Sequence, residues 1–435
     1  MTAPPSVSAG GLCPSCSAPV STDPRFVTWC PSCGWNVDPA ATGAAPRGRS
    51  ARRLEARRQA DRVVVEQVYA QVAHVPSSRP RRDGSFLAAM VLAGSVHLVT
   101  AALTGCSIWL LITGNLVTRS LGAVGFATAV LLRPRLGRFR PDEWSLSRAE
   151  APHLYDLADR VAAELGAPPI DLIRVTPGFN ASYGKAGPRR RGILTIGMAL
   201  WELLTPQERI ALLGHELGHA VNGDARRGLW LSSAVKALTH WHEFTRPGSV
   251  TTGGEGLLFL AGGWIAKALL VLPNKLAELM LRLLIRFTLR VGQRAEYLAD
   301  DLAARAGSSA ATRSMLETLV LGDSVDTFFQ RRAVTHRGKR SPRADSRGPD
   351  DFGLWQELRE HIASIPEIER TRRLRVSALR MTSVDTTHPP THLRVRRISA
   401  RKPEEAAITL DEAETASTEA ELAAVRARVA RVVLN

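Results

Sequence analysis

The chain has 435 residues, enough at roughly 100–200 residues per domain for about two to four domains. Hydrophobic residues make up 45% and charged residues 23%, which excludes a disordered polyelectrolyte and a transporter built of many spans, and five cysteines exclude a disulfide-dense secreted scaffold. The net charge of +16 points toward polyanions, but only six of the 57 basic residues are lysine, arginine runs from end to end and aromatics are 6%, so nucleic acid is not an expected partner.

Residues 1–40 read as a small cysteine unit. Cys13-Pro14-Ser15-Cys16 and Cys30-Pro31-Ser32-Cys33 are knuckles separated by 13 residues, and no signal-peptide pattern precedes them. Four thiolates at this spacing can close a tetrahedral zinc shell over a tiny core of Phe26, Val27, Trp29 and Trp35. Metal binding then supplies folding free energy that so short a segment lacks. A redox dithiol pair or a rubredoxin-like iron site are the alternatives to this structural zinc ribbon, whose expected role is partner binding or rigidity.

Residues 41–85 read as a linker followed by a basic amphipathic helix from Ser50 to about Ala73, with Leu54, Val64, Val65, Val68, Tyr69 and Val72 as its apolar side. Its arginines can lie on anionic headgroups or face solvent. Residues 84–118 then carry no charged side chain, and after Arg119 residues 120–132 are again uncharged. An apolar run of about 20 residues spans a bilayer core, so the expectation is a transmembrane hairpin with spans near 86–112 and 116–132 and a turn at Gly114-Asn115. A split at Thr104-Gly105 is the alternative, at the cost of placing Arg119 deep in the second span. Arg79, Arg81 and Arg82 before the hairpin and Arg133, Arg135, Arg138 and Arg140 after it would hold both termini on the cytoplasmic side. Cys106, inside the apolar run, reads as a membrane-packed side chain.

From about 142 to 402 the pattern is globular, α+β and mostly helical with a small sheet. A helix is expected over 147–165, and short strands over Ile170–Val175, Phe179–Tyr183 and Ile193–Ile196. Residues 256–291 read as membrane-associated helices: 256–272 are apolar apart from Lys267 but short for a span, and Arg282, Arg286 and Arg290 recur every four residues, as suits a helix in the interface or packed on the globular part. The basic stretch 330–350 reads as a disordered loop, and 403–435 as a helical tail with Leu422, Val425, Val429 and Val432 on one stripe. That tail either docks on the globular part or on a partner, or stays solvated.

Thr205-Pro206-Gln207-Glu208 is a helix start, and the helix runs into His215-Glu216-Leu217-Gly218-His219 with Gly223 placed to end it. Imidazoles four apart on a helix can reach one metal, and Glu216 can act as general base on water. Zinc hydrolysis requires this donor set, an adjacent carboxylate and an open coordination position. Seventy-odd residues later, Glu296 and Asp300 share a helix face. They are either a third ligand with a carboxylate positioning a ligand histidine, or two solvated acids.

His215–His219 followed by Ala220-Val221-Asn222-Gly223-Asp224, then Glu296–Asp300, then Thr387-His388-Pro389-Pro390 with Arg394, resemble the HtpX-like membrane zinc metallopeptidases. That gluzincin family also holds the endopeptidases that process prenylated CAAX proteins. The resemblance covers about residues 85–400 and implies a zincin-type domain behind a transmembrane hairpin, zinc ligands at His215, His219 and Glu296, and Glu216 as base. Asn180-Ala181 resembles the family's substrate-side edge segment. His388 is expected to stabilise the oxyanion and Arg394 to anchor structure. The expected function is a cytoplasmic-face endopeptidase of the cell membrane acting on membrane or misfolded proteins. One zinc would be catalytic and one structural. An inactive membrane-anchored adaptor, binding partners through the ribbon, is the alternative.

Overall fold

The computed structural model describes residues 8–42, 48–73, 84–132, 139–187, 189–246, 257–339, 351–380 and 388–434. In chain order its elements are β1 (Ser8–Leu12), β2 (Pro19–Thr22), α1 (Arg49–Val72), α2 (Gly84–Thr113), α3 (Leu116–Leu132), β3 (Ser145–Leu146), α4 (Pro152–Leu165), β4 (Leu172–Thr176), β5 (Ala181–Ala186), β6 (Arg191–Gly197) and α5 (Met198–Leu203). There follow α6 (Pro206–Asn222), α7 (Asp224–Phe244), α8 (Leu257–Gly307), α9 (Ser309–Leu319), α10 (Gly322–Lys339), α11 (Asp351–Ala363), α12 (Glu367–Arg380), α13 (Thr391–Ser399), α14 (Glu412–Glu421) and α15 (Ala423–Leu434).

The chain divides into two compact units, one of residues 1–80, 139–222 and 293–435, the other of 81–138 and 223–292. The division interrupts the globular stretch expected over 142–402. Residues 223–292 group with the apolar hairpin and not with the histidine helix.

In the first unit a four-stranded sheet has the order β3-β4-β6-β5; β4 and β6 are parallel, and β3 and β5 join antiparallel on the outside. β3 was not expected, and β5 starts at Ala181, two residues later than the apolar pattern suggests. The helix expected over 147–165 begins only at Pro152, where the ring fixes φ for a first turn, and closes on Gly166 at φ 70. Leu154, Leu157, Val161, Ile173, Leu194, Ile196, Ile210, Leu213 and Leu217 are buried in one core between the sheet, α4 and α6. Valines 64, 68 and 72 of α1 pack on Tyr297, so that face is covered by protein.

The tail docks on this core. Leu422, Val425, Val429, Ala430 and Leu434 are buried in it, and Arg426 donates to the buried Glu202 at 2.6 Å. Glu421 caps α4 by accepting from His153 N at 2.8 Å and Leu154 N at 3.0 Å. Val432, expected on the apolar stripe, is 51% exposed. The 3.6-residue period carries the buried stripe to Ala430 and Leu434 instead.

In the second unit α2 and α3 pack antiparallel across Gly114-Asn115, with α7 against both. Gly122 lets them meet closely, since a Cβ there would lie 2.9 Å from the Ser107 carbonyl oxygen. The outer faces carry exposed Leu98, Trp109, Ile112, Leu121 and Val124. Among the described residues α2, 30 residues long with a mean hydropathy of 2.0 in its most apolar window, is the one helix long and apolar enough to cross a membrane. α3, the second expected span, has 17 residues, about 25 Å of rise, at the short end of what a crossing needs. Arg79, Arg81, Arg82, Arg133, Arg135 and Arg138 lie outside the described residues.

Two further expectations change. Residues 257–307 form one continuous helix through Pro273, not separate segments. The stretch 330–339 is helical within α10, against the expectation of a disordered loop, because Ala333 packs inward and Thr335 Oγ1 donates back to the Arg331 carbonyl. The remainder of that stretch, 340–350, lies outside the described residues.

Candidate metal centre

The start of α6 is built as its sequence requires: Glu208 accepts from Thr205 N at 2.7 Å, and Gly223 at φ 72 terminates the helix. Between these ends the apolar residues of α6 bury it against the core, and His215 and Glu216 are buried with them at 3% and 5% exposure.

A seam of small residues brings the second ligand helix in. A Cβ added to Gly218 would lie 2.9 Å from Ala299 Cα, one added to Gly214 would lie 3.0 Å from Ala303 Cα, and one added to Gly307 would lie 2.6 Å from Ala211 N. Interaxial distance follows the size of the side chains at the contact. Without bulk between them, α6 and the end of α8 come close enough for Glu296 to reach both imidazoles. This seam escaped the sequence reading, although its four-residue spacing (Gly214 and Gly218 against Ala299, Ala303 and Gly307) is present there as a signal.

His215 Nε2 stands 3.5 Å from Glu296 Oε2, and His219 Nε2 stands 3.5 Å from Glu296 Oε1. His388, just before α13, brings Nε2 to 3.3 Å from Glu296 Oε2. One donor atom from each of these four residues lies within 4.8 Å of the others. Donors at about 2.0–2.2 Å from one tetrahedral zinc are about 3.3–3.6 Å apart, so the measured spacings fit that ion. Glu296 Oε2 is buried and accepts no hydrogen bond, the condition of a carboxylate oxygen built to meet a cation. Burial pushes the Glu296 carboxyl up, but the neighbouring His219, His215 and His388 outweigh it and hold it down to about 2.

Asp300, fully buried one turn beyond Glu296, lies with Oδ1 3.1 Å from His215 Nδ1. Arg394 of α13 grips that carboxylate from the other side, Nε to Oδ2 at 2.9 Å and Nη2 to Oδ1 at 2.6 Å. Arg394 Nη2 also sits 3.2 Å from His215 Nδ1, but that nitrogen faces an acceptor in Asp300, which assigns the ring proton to Nδ1 and turns Nε2 toward Glu296. Burial opposes ionisation of Asp300, yet Arg394 and His215 keep its carboxyl well below the usual range. The neighbouring Asp301 receives Arg397 in the same way, Oδ2 at 2.8 Å, and also pairs with Arg401.

Asn180 and Ala181 lie at the start of β5, the outer strand of the sheet, and α6 packs beside that strand. Asn180 O accepts from Gly197 N at 2.7 Å, and Gly197 has no room for a side chain, since a Cβ would fall 2.5 Å from that oxygen. The segment expected on the substrate side is thus an edge beside the histidine helix.

The profile of Peptidase family M48 matches residues 148–402. The chain belongs to peptidase family M48. A "Protease HtpX homolog" from Syntrophobacter fumaroxidans is 23% identical over 222 residues, 48% of this chain and 74% of that protein. No solved structure matches the chain. Peptidases of family M48 are zinc-dependent, and the match includes every residue of the His/Glu centre. The cysteine unit lies outside the matched residues.

That unit brings Cys13, Cys16, Cys30 and Cys33 together with sulfurs 3.7 Å (Cys13–Cys33) and 3.6 Å (Cys16–Cys30) apart. Disulfides need about 2.05 Å, whereas sulfurs around one ion at about 2.3 Å are about 3.8 Å apart. The donor set therefore fits a second tetrahedral ion. The Cys33 and Ser32 amides draw the Cys30 thiol down to about 6 against desolvation, while at Cys16 the pull of the Ala18 amide is outweighed by the other three thiols, which push it up, so thiolate character concentrates on Cys30.

Proposed function

We propose that this M48 chain is a membrane-anchored zinc endopeptidase that hydrolyses peptide bonds of membrane or misfolded proteins at the cytoplasmic face. The observation that carries the reading is the meeting of His215, His219 and Glu296 beside an edge strand, with Glu216 on the same helix. Residues 142–402 are its catalytic stretch, 1–40 its zinc ribbon and 86–132 its membrane hairpin. The apolar outer face of α2 and α3 supports membrane insertion, with α3 completing a short second crossing. Both termini then lie on the cytoplasmic side.

Zinc, when bound by His215, His219 and Glu296, supplies carbonyl polarisation and acidifies water. An extended substrate pairs with β5 from Asn180 and Ala181 onward, which sets its carbonyl at the centre. Glu216 takes a proton from water and passes it to the leaving amine. His388 donates to the oxyanion that forms, and Asp300 keeps His215 in the tautomer that presents Nε2.

The test is cleavage of a quenched peptide or casein by the detergent-solubilised protein. Chelator-sensitive turnover that disappears in Glu216→Gln, with zinc content unchanged, is the expected result. Full metal loading without turnover on any substrate would replace this reading with the inactive adaptor.

A further inference from the structure

The cysteine unit has no place in the reaction above, yet it is tied to α12. α12 places arginines on it from end to end. Arg372 Nη1 donates to the Val37 carbonyl at 2.9 Å, and Arg375 Nη1 donates to the Pro31 carbonyl at 2.6 Å while its guanidinium lies 4.9 Å above the buried Trp29 ring. Arg380 grips Asp38 through both oxygens at 2.6 and 2.5 Å. Just before α12, the Ser364 carbonyl accepts from Arg25 at 3.0 Å. Pro31 lies inside the second knuckle, between Cys30 and Cys33, and Trp29 immediately precedes it. The acceptor and the ring that Arg375 uses therefore exist only while that knuckle is folded, and so short a unit folds on its ion.

α12 also lines a cavity of about 680 Å³, and Arg372 and Arg380 touch both it and the cysteine unit. Arg372, Arg373, Ser377 and Arg380 form one wall, and Asn180 at the start of β5 forms part of another. Thr391, three residues after His388, closes it at the foot of α13, on which α12 packs. The buried Glu369 aligns the wall by accepting from Arg372 Nε at 2.6 Å and Arg373 Nε at 2.9 Å.

We propose that the four-cysteine unit is an internal brace of the substrate cleft: its metal-folded knuckle holds α12, and Arg372, Arg375 and Arg380 are positioning residues that fix the wall facing the β5 edge. This inference rests on the peptidase reading for the word substrate, but the brace itself does not. Loss of the cysteine-bound ion releases α12 while leaving α6 and its histidines in place. The consequence is weaker binding of an extended peptide with little change in the chemical step.

The experiment uses the full chain in detergent and compares the parent with Cys13→Ser/Cys16→Ser and with Arg375→Ala, which keeps all four cysteines. Amide exchange in residues 367–380 should accelerate about tenfold or more in both variants, with residues 206–222 unchanged. Zinc content should fall by about one ion per chain in the cysteine variant and hold in Arg375→Ala. KM for a long quenched peptide should rise about fivefold to tenfold in both variants, with kcat within about twofold. Unchanged exchange in 367–380 after loss of the cysteine-bound ion overturns the brace, and so does an unchanged KM when α12 is loosened. The exchange readout needs no turnover. A parent protein inert toward every peptide, whose α12 still loosens, would remove the peptidase reading and keep the brace.

Discussion

Gly218 lies against Ala299 so closely that a Cβ on the glycine would stand 2.9 Å from the alanine Cα. Two helices of one unit touch there without intervening side chains, and the centre exists because they do. Gly218→Ala should force them apart and cost about 1–3 kcal/mol of stability, the usual penalty for overpacking a filled contact. Gly218→Val should go further and lower zinc occupancy as Glu296 withdraws. Thermal unfolding with metal analysis checks both; normal melting and full zinc in the valine variant would show that the seam does not set the centre.

Asp300 and Arg394 are both buried and answer each other through two hydrogen bonds. Removing one partner strands the other as a buried charge, so Arg394→Ala should destabilise by about 3–5 kcal/mol. Asp300→Asn keeps the shape but surrenders the charge that holds the proton on His215 Nδ1. Its zinc affinity should fall about 10–100-fold, read by competition with a chromogenic chelator.

His388 approaches Glu296 without being needed to complete a three-ligand set. His388→Ala should therefore cut kcat by about 100-fold or more and leave zinc content intact. Equal loss of zinc and turnover would make it a ligand, and unchanged turnover would remove it from the reaction.

Acid should unfold the catalytic unit through carboxylates outside the centre. Arg380 holds the Asp38 carboxyl down against partial burial, while at Glu369 and Glu419 burial pushes up and the arginines 372 and 373, or 209 and 426, pull down harder. All three folded values lie below the ordinary carboxylate range. Their contribution is complete above the unfolded values near about 4 and is lost as pH falls through the lower folded ones. Stability should hold from about pH 7 to 5 on their account and decline below about 4. In Arg380→Ala the decline should be shallower, since Asp38 then loses the largest cause of its lowered folded value; unfolding midpoints across a pH series give both slopes.

Arg426→Ala tests the docked tail. Glu202 would keep Arg359 on its other oxygen at 2.5 Å but lose its buried partner on α15, and Glu419 would keep only Arg209. A lower melting temperature is expected, with limited proteolysis releasing the segment after Glu421.

The sequence alone determined the parts whose chemistry is local. The cap at Thr205, the four-residue interval between His215 and His219, the spacing of the four cysteines and the uncharged run from 84 to 118 each express one helix, knuckle or apolar segment. Neighbouring residues suffice to define these. What the fold decided depends on contacts between distant segments. No local pattern states that Gly214 and Gly218 abut Ala299 and Ala303, that Arg394 reaches back to Asp300, or that α12 rests on the cysteine knuckle. Tail docking and the continuity of α8 were likewise open, because an amphipathic stripe records that a face is buried and not against what. Steric fit between helices, and the need of buried charges for partners, selected those answers only once the chain had closed on itself.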